Sequence, residues 1–330
     1  MRTPPEAITT ASIVAELGEH WRVDATEAEY LPVGFGSHHW RVDSVGARWF
    51  VTVDDLETKL RHADEPLSSA FERLLAALTI ARSLHDRGLQ FVVAPLPDVG
   101  GAVVHRLDDR FAISLYPHVD GRNHDWGGYE SLADRLAVLE CLIEVHGAPA
   151  DIRSRAPVDD FVLWERDELE GALDDLAGRW DGGPYADRAR ASLARGAAGV
   201  EPALARFDRL VQDARERPER AVLTHGEPHV GNTLRSEAGW RLVDWDTTLV
   251  APPERDLWML NDDDGRVVVA YAAATGRDVL ADTLEQYRLG WDLTEIALFV
   301  AQFRRPHIET EDTAVAWTVL ERILEGFATG

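Results

Sequence analysis

The chain has 330 residues, 45% of them apolar, a net charge of −24 and a single cysteine. This length is sufficient for two lobes with separate cores, and no apolar run approaches the roughly 18–20 residues that a membrane span requires. The acidic balance argues against nucleic-acid binding and favours a cationic partner, with solubility alone as the alternative. One cysteine excludes a disulfide framework and a multi-cysteine zinc site. The N-terminus has no secretory signal, so we expect a cytoplasmic protein that binds neither nucleic acid nor membrane.

The first 116 residues alternate strand and turn signals around one long helix. Ala7–Glu19 predicts a short helix, and Pro66–Arg87 repeats apolar residues every three or four positions, which predicts a long one. β-branched and aromatic runs predict strands. The expected strands lie within 30–42, on both sides of a glycine-containing turn, and at 48–53, 91–95, 102–107 and 110–116. The region therefore predicts an antiparallel-sheet N-lobe (residues 1–116) with one long helix.

After a predicted hinge at residues 117–121, the pattern becomes helical. The expected helices are Leu132–His146, Val158–Leu176, Tyr185–Arg215, Arg255–Leu260, Val267–Ala274, Val279–Phe303 and Thr313–Phe327. We therefore expect a mostly helical C-lobe at residues 122–330, and an α+β class for the whole chain.

One polar loop interrupts these helices between two short strands. An apolar run at 221–224 enters it, and a hairpin leads to a second strand at 240–243. The loop and the second strand end present Glu227, Asn232 and Asp244 within about twenty residues. Carboxylate and amide oxygens are ligands that Mg²⁺ accepts. This arrangement is suited to holding a metal and a phosphate near a hydroxyl nucleophile.

Three motifs in this segment resemble one known family. They are H-G-E-P-H-V-G-N at 225–232, V-D-W-D at 243–246 and P-E-R-D-L at 253–257. Their order and spacing resemble the aminoglycoside phosphotransferase and choline kinase family, whose motifs are H-G-D-x-x-x-x-N, D-[WF]-[DE] and P-x-x-R-D-L. Spectinomycin-type phosphotransferases are the most similar, because they share His229 and Gly231. The resemblance implies a bilobal protein-kinase-like fold and an O-phosphotransferase of antibiotic-resistance type.

The resemblance also implies cofactors, an acceptor and residue roles. Mg²⁺ and ATP or GTP would be required, and the acceptor would be a small, cationic molecule such as an aminoglycoside-like antibiotic or a metabolite. Glu227 would be the base, His225 would brace the loop, and Asp256 would bond the backbone N–H groups of the loop. Asn232 and Asp244 would hold Mg²⁺. The implied nucleotide contacts are Gly34, Gly36, Ser37, Tyr116 and His118, and the implied acceptor contacts are Trp291, Asp292 and Glu295.

Two positions depart from the family pattern. Glu227 stands where the family has Asp; the carboxylate is the same, but it is one methylene further from the backbone. Thr52 stands where the third strand of the family carries a lysine that reaches the phosphates. Lys59, the only lysine of the chain, is a candidate substitute, as are Arg41 and Arg48. A solvated lysine in a loop is the alternative for Lys59.

These departures leave other functions open. A kinase-fold pseudoenzyme would bind a ligand or nucleotide without transfer, and a third possibility is a peptide Ser/Thr kinase of the same family. A zinc site at His225 and His229 is disfavoured, because the surrounding glycines and proline oppose the helix that such a motif needs. Two further features have packing or solvation as their alternative: tryptophans that could stack on a ligand (Trp126, Trp164, Trp180, Trp291) and an acidic run at 261–264.

Overall fold

The computed structural model describes residues 1–122, 127–261 and 264–329, so Trp126, Asp262 and Asp263 lie outside the described residues. The chain divides into two compact units. Unit 1 comprises residues 1–59, 66–159 and 218–280, and unit 2 comprises residues 60–65, 160–217 and 281–330. Unit 1 thus holds both the N-terminal sheet and the polar loop. The division into an N-lobe, a hinge and a C-lobe stays a prediction.

Unit 1 begins with a five-stranded antiparallel sheet in the order β1-β2-β3-β5-β4. Its strands are β1 Ala25–Leu31, β2 Ser37–Ser44, β3 Ala47–Asp55, β4 His105–Arg106 and β5 Phe111–Pro117. Alternate side chains of β2 and β3, such as Trp40 and Val51, are buried in one core, as the strand period of two requires. Thr52 lies in the central strand, opposite His39 on one side and Ser114 on the other.

Two helices accompany this sheet. In α1, Thr10–Trp21, a capping box between Thr9 and Ser12 satisfies the first backbone donors, and its apolar residues pack into the core of the sheet. The long helix α2, Leu67–Asp86, is followed by Gly88 at φ +103°, the left-handed conformation that glycine adopts without strain. The two helices predicted for this region are confirmed.

Two of the predicted strands differ from the structure. Residues 91–95 are not a strand: Val92 forms an isolated bridge to Leu242, and the Val93 N–H donates to the Leu242 carbonyl at 2.9 Å. The strand predicted at 102–107 is reduced to β4. Its first half belongs to a turn in which Asp98 Oδ1 accepts the N–H groups of Gly100 and Ala102. An apolar, β-branched run therefore does not show whether a segment is paired in a sheet or is an extended segment that is hydrogen-bonded to a loop.

The remainder of unit 1 carries the polar loop between short elements. They are α3 Leu132–His146, α4 Ala150–Arg153, β6 Val222–Thr224, β7 Thr233–Ser236, β8 Gly239–Leu242, β9 Leu249–Ala251, α7 Glu254–Leu260 and α8 Arg266–Thr275. β6 pairs with β9, and β7 pairs with β8 as the predicted hairpin. A short 3-10 turn, Val230–Asn232, joins the loop to β7.

Unit 2 is built from helices around one apolar core. They are α5 Arg166–Asp174, α6 Ala186–Arg215, α9 Ala281–Arg304 and α10 Glu311–Thr329. Leu193, Phe207 and Phe303 are among the buried residues at their interfaces. The helix predicted from Val158 is wrong in its first half, because Phe161 and Glu165 adopt positive φ values of 57° and 53°, which a helix does not tolerate. α5 therefore begins only at Arg166.

The predicted fold class is confirmed: an antiparallel sheet fills the N-terminal part, and helices dominate the C-terminal part. Among the described residues, no helix combines the length and the apolar character needed to cross a membrane.

Candidate active site

One buried carboxylate anchors the backbone of the polar loop. Asp256, in the first turn of α7, accepts the N–H groups of His225 at 2.9 Å and Gly226 at 2.6 Å. It also faces His146 Nε2 at 3.0 Å, and His146 Nδ1 faces the Tyr271 hydroxyl at 3.0 Å. Burial would raise the pKa of Asp256, but the hydrogen bond and charge of His146 lower it. The hydrogen bonds predicted for Asp256 are confirmed.

The His225 ring connects the loop to the end of the second strand. Its Nδ1 accepts the Glu227 N–H at 3.2 Å, so its proton lies on Nε2, which donates to the Val243 carbonyl at 2.9 Å. Burial is the main cause that lowers the pKa of His225, which keeps the ring neutral. Gly226 adopts φ +106°, and a Cβ there would collide with the Arg255 guanidinium. The His225 ring therefore joins the loop backbone to the end of the second strand, and its role as a brace for catalysis stays a prediction.

Asn232 and Asp244 lie on adjacent backbone segments. The Val243 N–H donates to the Asn232 carbonyl at 3.0 Å, which joins the two segments. Asn232 is 8% exposed, and its Nδ2 donates to the Glu227 carbonyl at 3.1 Å. This hydrogen bond fixes the orientation of the amide and uses its nitrogen, so Oδ1 is the atom suited to bind a metal. Asp244 adopts φ +63°, a left-handed conformation that Asp tolerates better than most residues. The structure thus brings together the two predicted metal ligands.

Asp244, Asp246 and Glu227 concentrate negative charge around the predicted metal ligands. Burial raises the pKa of Asp244, and the charges of Asp246 and Glu227 raise it further. Burial acts in the same direction on the pKa of Asp246, but the charge and hydrogen bond of Lys59 overcome it and lower that pKa. Carboxylates that repel one another in a buried place are stabilised by a cation. The oxygen donors of Asn232 and Asp244 therefore fit Mg²⁺.

Lys59 is the cation that the structure supplies to these acids. It ends a 3-10 turn, Leu56–Lys59, that follows β3. Its Nζ lies 3.1 Å from Asp54 Oδ1 and 2.5 Å from Asp246 Oδ2, and its side chain is 16% exposed. Burial would lower the pKa of Lys59, but the charges of Asp246 and Asp54 raise it. The alternative of a solvated loop lysine is wrong.

The predicted glycine turn adjoins the same charges. Gly34 and Gly36 adopt φ values of +71° and +86° between β1 and β2, conformations that favour glycine. Ser37 Oγ donates to Asp54 Oδ1 at 2.7 Å, so the turn is bonded to the carboxylate that also holds Lys59. Thr58 Oγ1 donates to the Gly36 carbonyl at 3.2 Å. Asp54 therefore links the turn to the lysine.

The two residues predicted to meet the base of a nucleotide lie at the end of β5. Burial raises the pKa of Tyr116, and the negative charges of Asp54 and Asp244 add to the effect. His118 Nδ1 lies 3.5 Å from Asp120 Oδ1 beyond the strand end. Tyr116 is thus influenced by the charges of the acids, whereas His118 lies close to Asp120. Their contact with a nucleotide base stays a prediction.

The predicted acceptor residues lie on α9, in unit 2. Burial raises the pKa of Glu295 to about 7, and the nearby Asp292 contributes to this rise. Burial also raises the pKa of Asp292, against the charges of Arg288 and Arg322. Trp291 precedes this pair on the same helix. The loop lies in unit 1, and a shared site between this helix and the loop stays a prediction.

Three contributors were not assigned a role from the sequence. Asp54 and Asp246 hold Lys59, and His229 Nε2 lies 3.9 Å from Glu227 Oε2. Asp246 belongs to the second motif and His229 to the first, so their places in these motifs could have identified them as site residues. Asp54 lies at the end of a strand and carries no motif, so only the fold reveals it.

A second cluster of ligand-type residues lies apart from the loop. His20, Asp98 and His105 place one ligand atom each within 4.8 Å of one another. The two imidazole rings, however, are stacked at 4.1 Å with an angle of 24° between them. In-plane lone pairs of nearly parallel rings do not converge on one ion, and the hydrogen bond from His105 to Asp98 at 2.6 Å accounts for this pair. We assign no metal to this cluster.

Comparisons with known proteins agree with this arrangement. The sequence model of the phosphotransferase enzyme family matches residues 28–291. Protein StrN of Streptomyces griseus is 30% identical over 257 residues, covering 75% of this chain and 76% of StrN. The solved structure of a spectinomycin phosphotransferase, APH(9)-Ia, with ADP and spectinomycin has a TM-score of 0.75 at 17% identity, covering 98% of this chain and 99% of that one. A microcompartment-associated aminopropanol kinase has a TM-score of 0.60 at 16% identity, covering 97% and 99%.

Proposed function

Because this chain belongs to the phosphotransferase enzyme family, whose members phosphorylate hydroxyl groups of small molecules, we propose that it transfers the terminal phosphoryl group of ATP or GTP to a cationic acceptor. The acceptor class is an aminoglycoside-like antibiotic or a metabolite, and the location is the cytoplasm, where nucleoside triphosphates are available. The observation that carries this proposal is the loop that presents Glu227, Asn232 and Asp244 from one braced backbone.

Asn232 and Asp244 would hold Mg²⁺ in this proposal. When bound, the ion neutralises phosphate charge and orients the terminal phosphate. The buried amide oxygen and the repelling carboxylates supply the hard donors that Mg²⁺ accepts. Asp246 is already engaged by Lys59, which leaves Asn232 and Asp244 as the pair suited to the ion.

Lys59 takes the place of the missing third-strand lysine in this proposal. Thr52 carries no charge, but seven positions later Lys59 brings an ammonium group to Asp54 and Asp246. A triphosphate that enters beside these acids competes with them for the ammonium. The backbone of Gly34 and Gly36 with Ser37 would cover the phosphates. The base ring would lie against Tyr116 and His118.

Glu227 would act as the general base. Its carboxylate accepts the proton of the acceptor hydroxyl while that oxygen forms a bond to the terminal phosphorus. The bond between this phosphorus and the bridging oxygen breaks, and the nucleoside diphosphate leaves. Its backbone N–H is bonded to His225 and its carbonyl to Asn232, so only the side chain moves to compensate for its extra methylene.

Acidic residues of unit 2 support a cationic acceptor. Glu295 and Asp292 are acids on one face of α9 whose pKa values burial raises. An ammonium group placed beside them would restore their charged forms. The chain as a whole carries a net charge of −24, which attracts cations over longer distances. We assign Trp291 to the same acceptor contact.

The test is a transfer assay with a matched catalytic variant. The purified protein, with Mg²⁺ and either ATP or GTP, is incubated with a panel of aminoglycosides, aminocyclitols and amino alcohols, and phosphorylated products are identified by mass spectrometry. We expect a product with at least one cationic acceptor and its loss in Glu227→Gln, while Glu237→Gln on the exposed hairpin keeps activity. Nucleotide binding without any product would instead support the pseudoenzyme, which Thr52 and Glu227 favour, and a phosphorylated peptide would support the peptide kinase.

A further inference from the structure

We infer that His229 is a positioning residue for the base: its neutral ring donates from Nε2 to the Glu227 carboxylate and selects the side-chain conformation that faces the acceptor. This inference rests on the proposed function, because it names a second residue of the same site. No role was assigned to His229 from the sequence beyond its place in the motif.

The hydrogen bonds of the ring determine its tautomer. His229 Nδ1 accepts the Gly231 N–H at 3.1 Å, so Nδ1 carries a lone pair. A neutral imidazole has one protonated nitrogen, so the proton lies on Nε2. That nitrogen lies 3.9 Å from Glu227 Oε2. The protonated nitrogen is therefore the one near the carboxylate. A small rotation of either side chain would close the remaining distance, as catalytic hydrogen bonds tighten when substrate binds.

Gly231 leaves room for this ring position. A Cβ at residue 231 would lie 3.1 Å from both Cε1 and Nδ1 of the His229 ring, tighter than nine in ten real Cβ contacts, so the ring would have to shift by a few tenths of an ångström. With glycine, the ring lies directly over the backbone and accepts its N–H. The spacing His-x-Gly-Asn thus has a physical reason: glycine admits the ring, the ring fixes its tautomer on the backbone, and the following Asn232 bonds the Glu227 carbonyl.

A glutamate base needs such a partner more than an aspartate does. The Glu227 backbone is fixed at both ends, by His225 and by Asn232. Its side chain, 29% exposed, has one more rotatable bond than Asp and loses more conformational freedom when it is held still. A hydrogen bond from a neutral donor nearby offsets this entropic cost. It occupies one carboxylate oxygen and leaves the second to accept the proton of the acceptor hydroxyl.

The same geometry excludes His229 itself as the base. Its Nε2 carries a proton, and its Nδ1 is occupied by the Gly231 N–H, so neither nitrogen offers a lone pair to a hydroxyl. Burial lowers the pKa of His229 to about 4, in agreement with a neutral ring. His229 therefore acts through Glu227.

The kinetic test compares His229→Leu with His229→Gln, which keeps an N–H donor near the position of Nε2. We expect His229→Leu to lower kcat about 10- to 100-fold, the usual effect of misplacing a catalytic group by about 1 Å. KM for the nucleotide and the acceptor should stay within about twofold, and His229→Gln should recover most of kcat. A wild-type kcat in His229→Leu overturns the inference, as does a His229→Gln variant with unchanged Tm that is no better than His229→Leu.

A second measurement needs no activity, so its failure is distinct from failure of the proposed function. Protein with ¹⁵N-labelled histidine is observed by NMR at neutral pH, and the resonance that disappears in His229→Gln identifies His229. We expect an Nε2–H tautomer whose N–H resonance shifts in Glu227→Ala but not in Glu237→Ala. An Nδ1–H tautomer, or an N–H resonance whose chemical shift is unchanged in Glu227→Ala, overturns the inference even if no acceptor is ever found.

Discussion

Replacing Lys59 with methionine removes the cation from the acid cluster and keeps the length of the side chain. At an effective dielectric constant of about 20, a charge pair at the 3.1 Å separation of Lys59 and Asp54 is worth about 5 kcal/mol before desolvation is subtracted. Removing one partner of a buried pair costs about 3–5 kcal/mol. Because Lys59 is 16% and Asp246 22% exposed, we expect the lower end, about 3 kcal/mol.

This loss has two measurable consequences. Tm should fall by about 4 °C in thermal unfolding without nucleotide, the shift that about 3 kcal/mol produces in a chain of this length. Added Mg²⁺ should restore part of it, because a divalent cation replaces the missing charge. Nucleotide affinity, measured by calorimetry with Mg²⁺, should fall about ten- to hundredfold, the worth of a charged hydrogen bond. Arg87→Met, which removes a cation from an exposed pair with Asp151, is the matched control and should change neither quantity.

Two outcomes would refute this reasoning. A Lys59→Met variant with the Tm of the wild type would mean that the acids need no cation from the protein. A variant with reduced Tm and unchanged nucleotide affinity would mean that Lys59 stabilises the fold but does not replace the missing third-strand lysine.

Three further changes test other parts of the site. Asp256→Ala leaves two buried N–H groups without their acceptor, each worth about 1–3 kcal/mol, so urea unfolding should show a loss of about 2–6 kcal/mol; a smaller loss would mean that water replaces the carboxylate. The pKa of Glu295 of about 7 means that its charged form is present above that value and lost below it, so KM for a cationic acceptor should fall as pH rises through about 7, and Glu295→Gln should abolish this dependence. Removal of Mg²⁺ with EDTA should abolish transfer, and readdition should restore it; activity that survives EDTA would contradict the roles of Asn232 and Asp244.

The sequence predicted the elements whose signal is local. The helix Leu132–His146 has the predicted bounds, because its periodicity lies within the segment and Ser131, directly before it, caps the helix by accepting the Asp134 N–H. The family resemblance implied hydrogen bonds from backbone N–H groups of the loop to Asp256, and the structure contains two of them. The segments at 91–95 and 158–165 were predicted wrongly, because a bridge to Leu242 and positive φ values depend on distant parts of the chain.

The partners of Lys59 were beyond the reach of local patterns. Asp246 lies 187 positions further along the chain, and Asp54 is an unremarked acid at the end of β3. Only the fold brings them to one ammonium group. The sequence could nominate Lys59, the only lysine, beside Arg41 and Arg48, but its surroundings decide between a solvated side chain and a buried one.

The single lysine also makes the site accessible to selective chemistry. Amine-directed acylating reagents find one side-chain target in the whole protein, apart from the terminal amine. An ammonium group held by two carboxylates reacts slowly, because only the deprotonated amine is nucleophilic and the pKa of Lys59 is raised. The rate at which mass spectrometry detects acylated Lys59 therefore reports how firmly Asp54 and Asp246 hold it. A bound nucleotide, a divalent ion or a substitution at either acid becomes visible as a change in the reactivity of one atom.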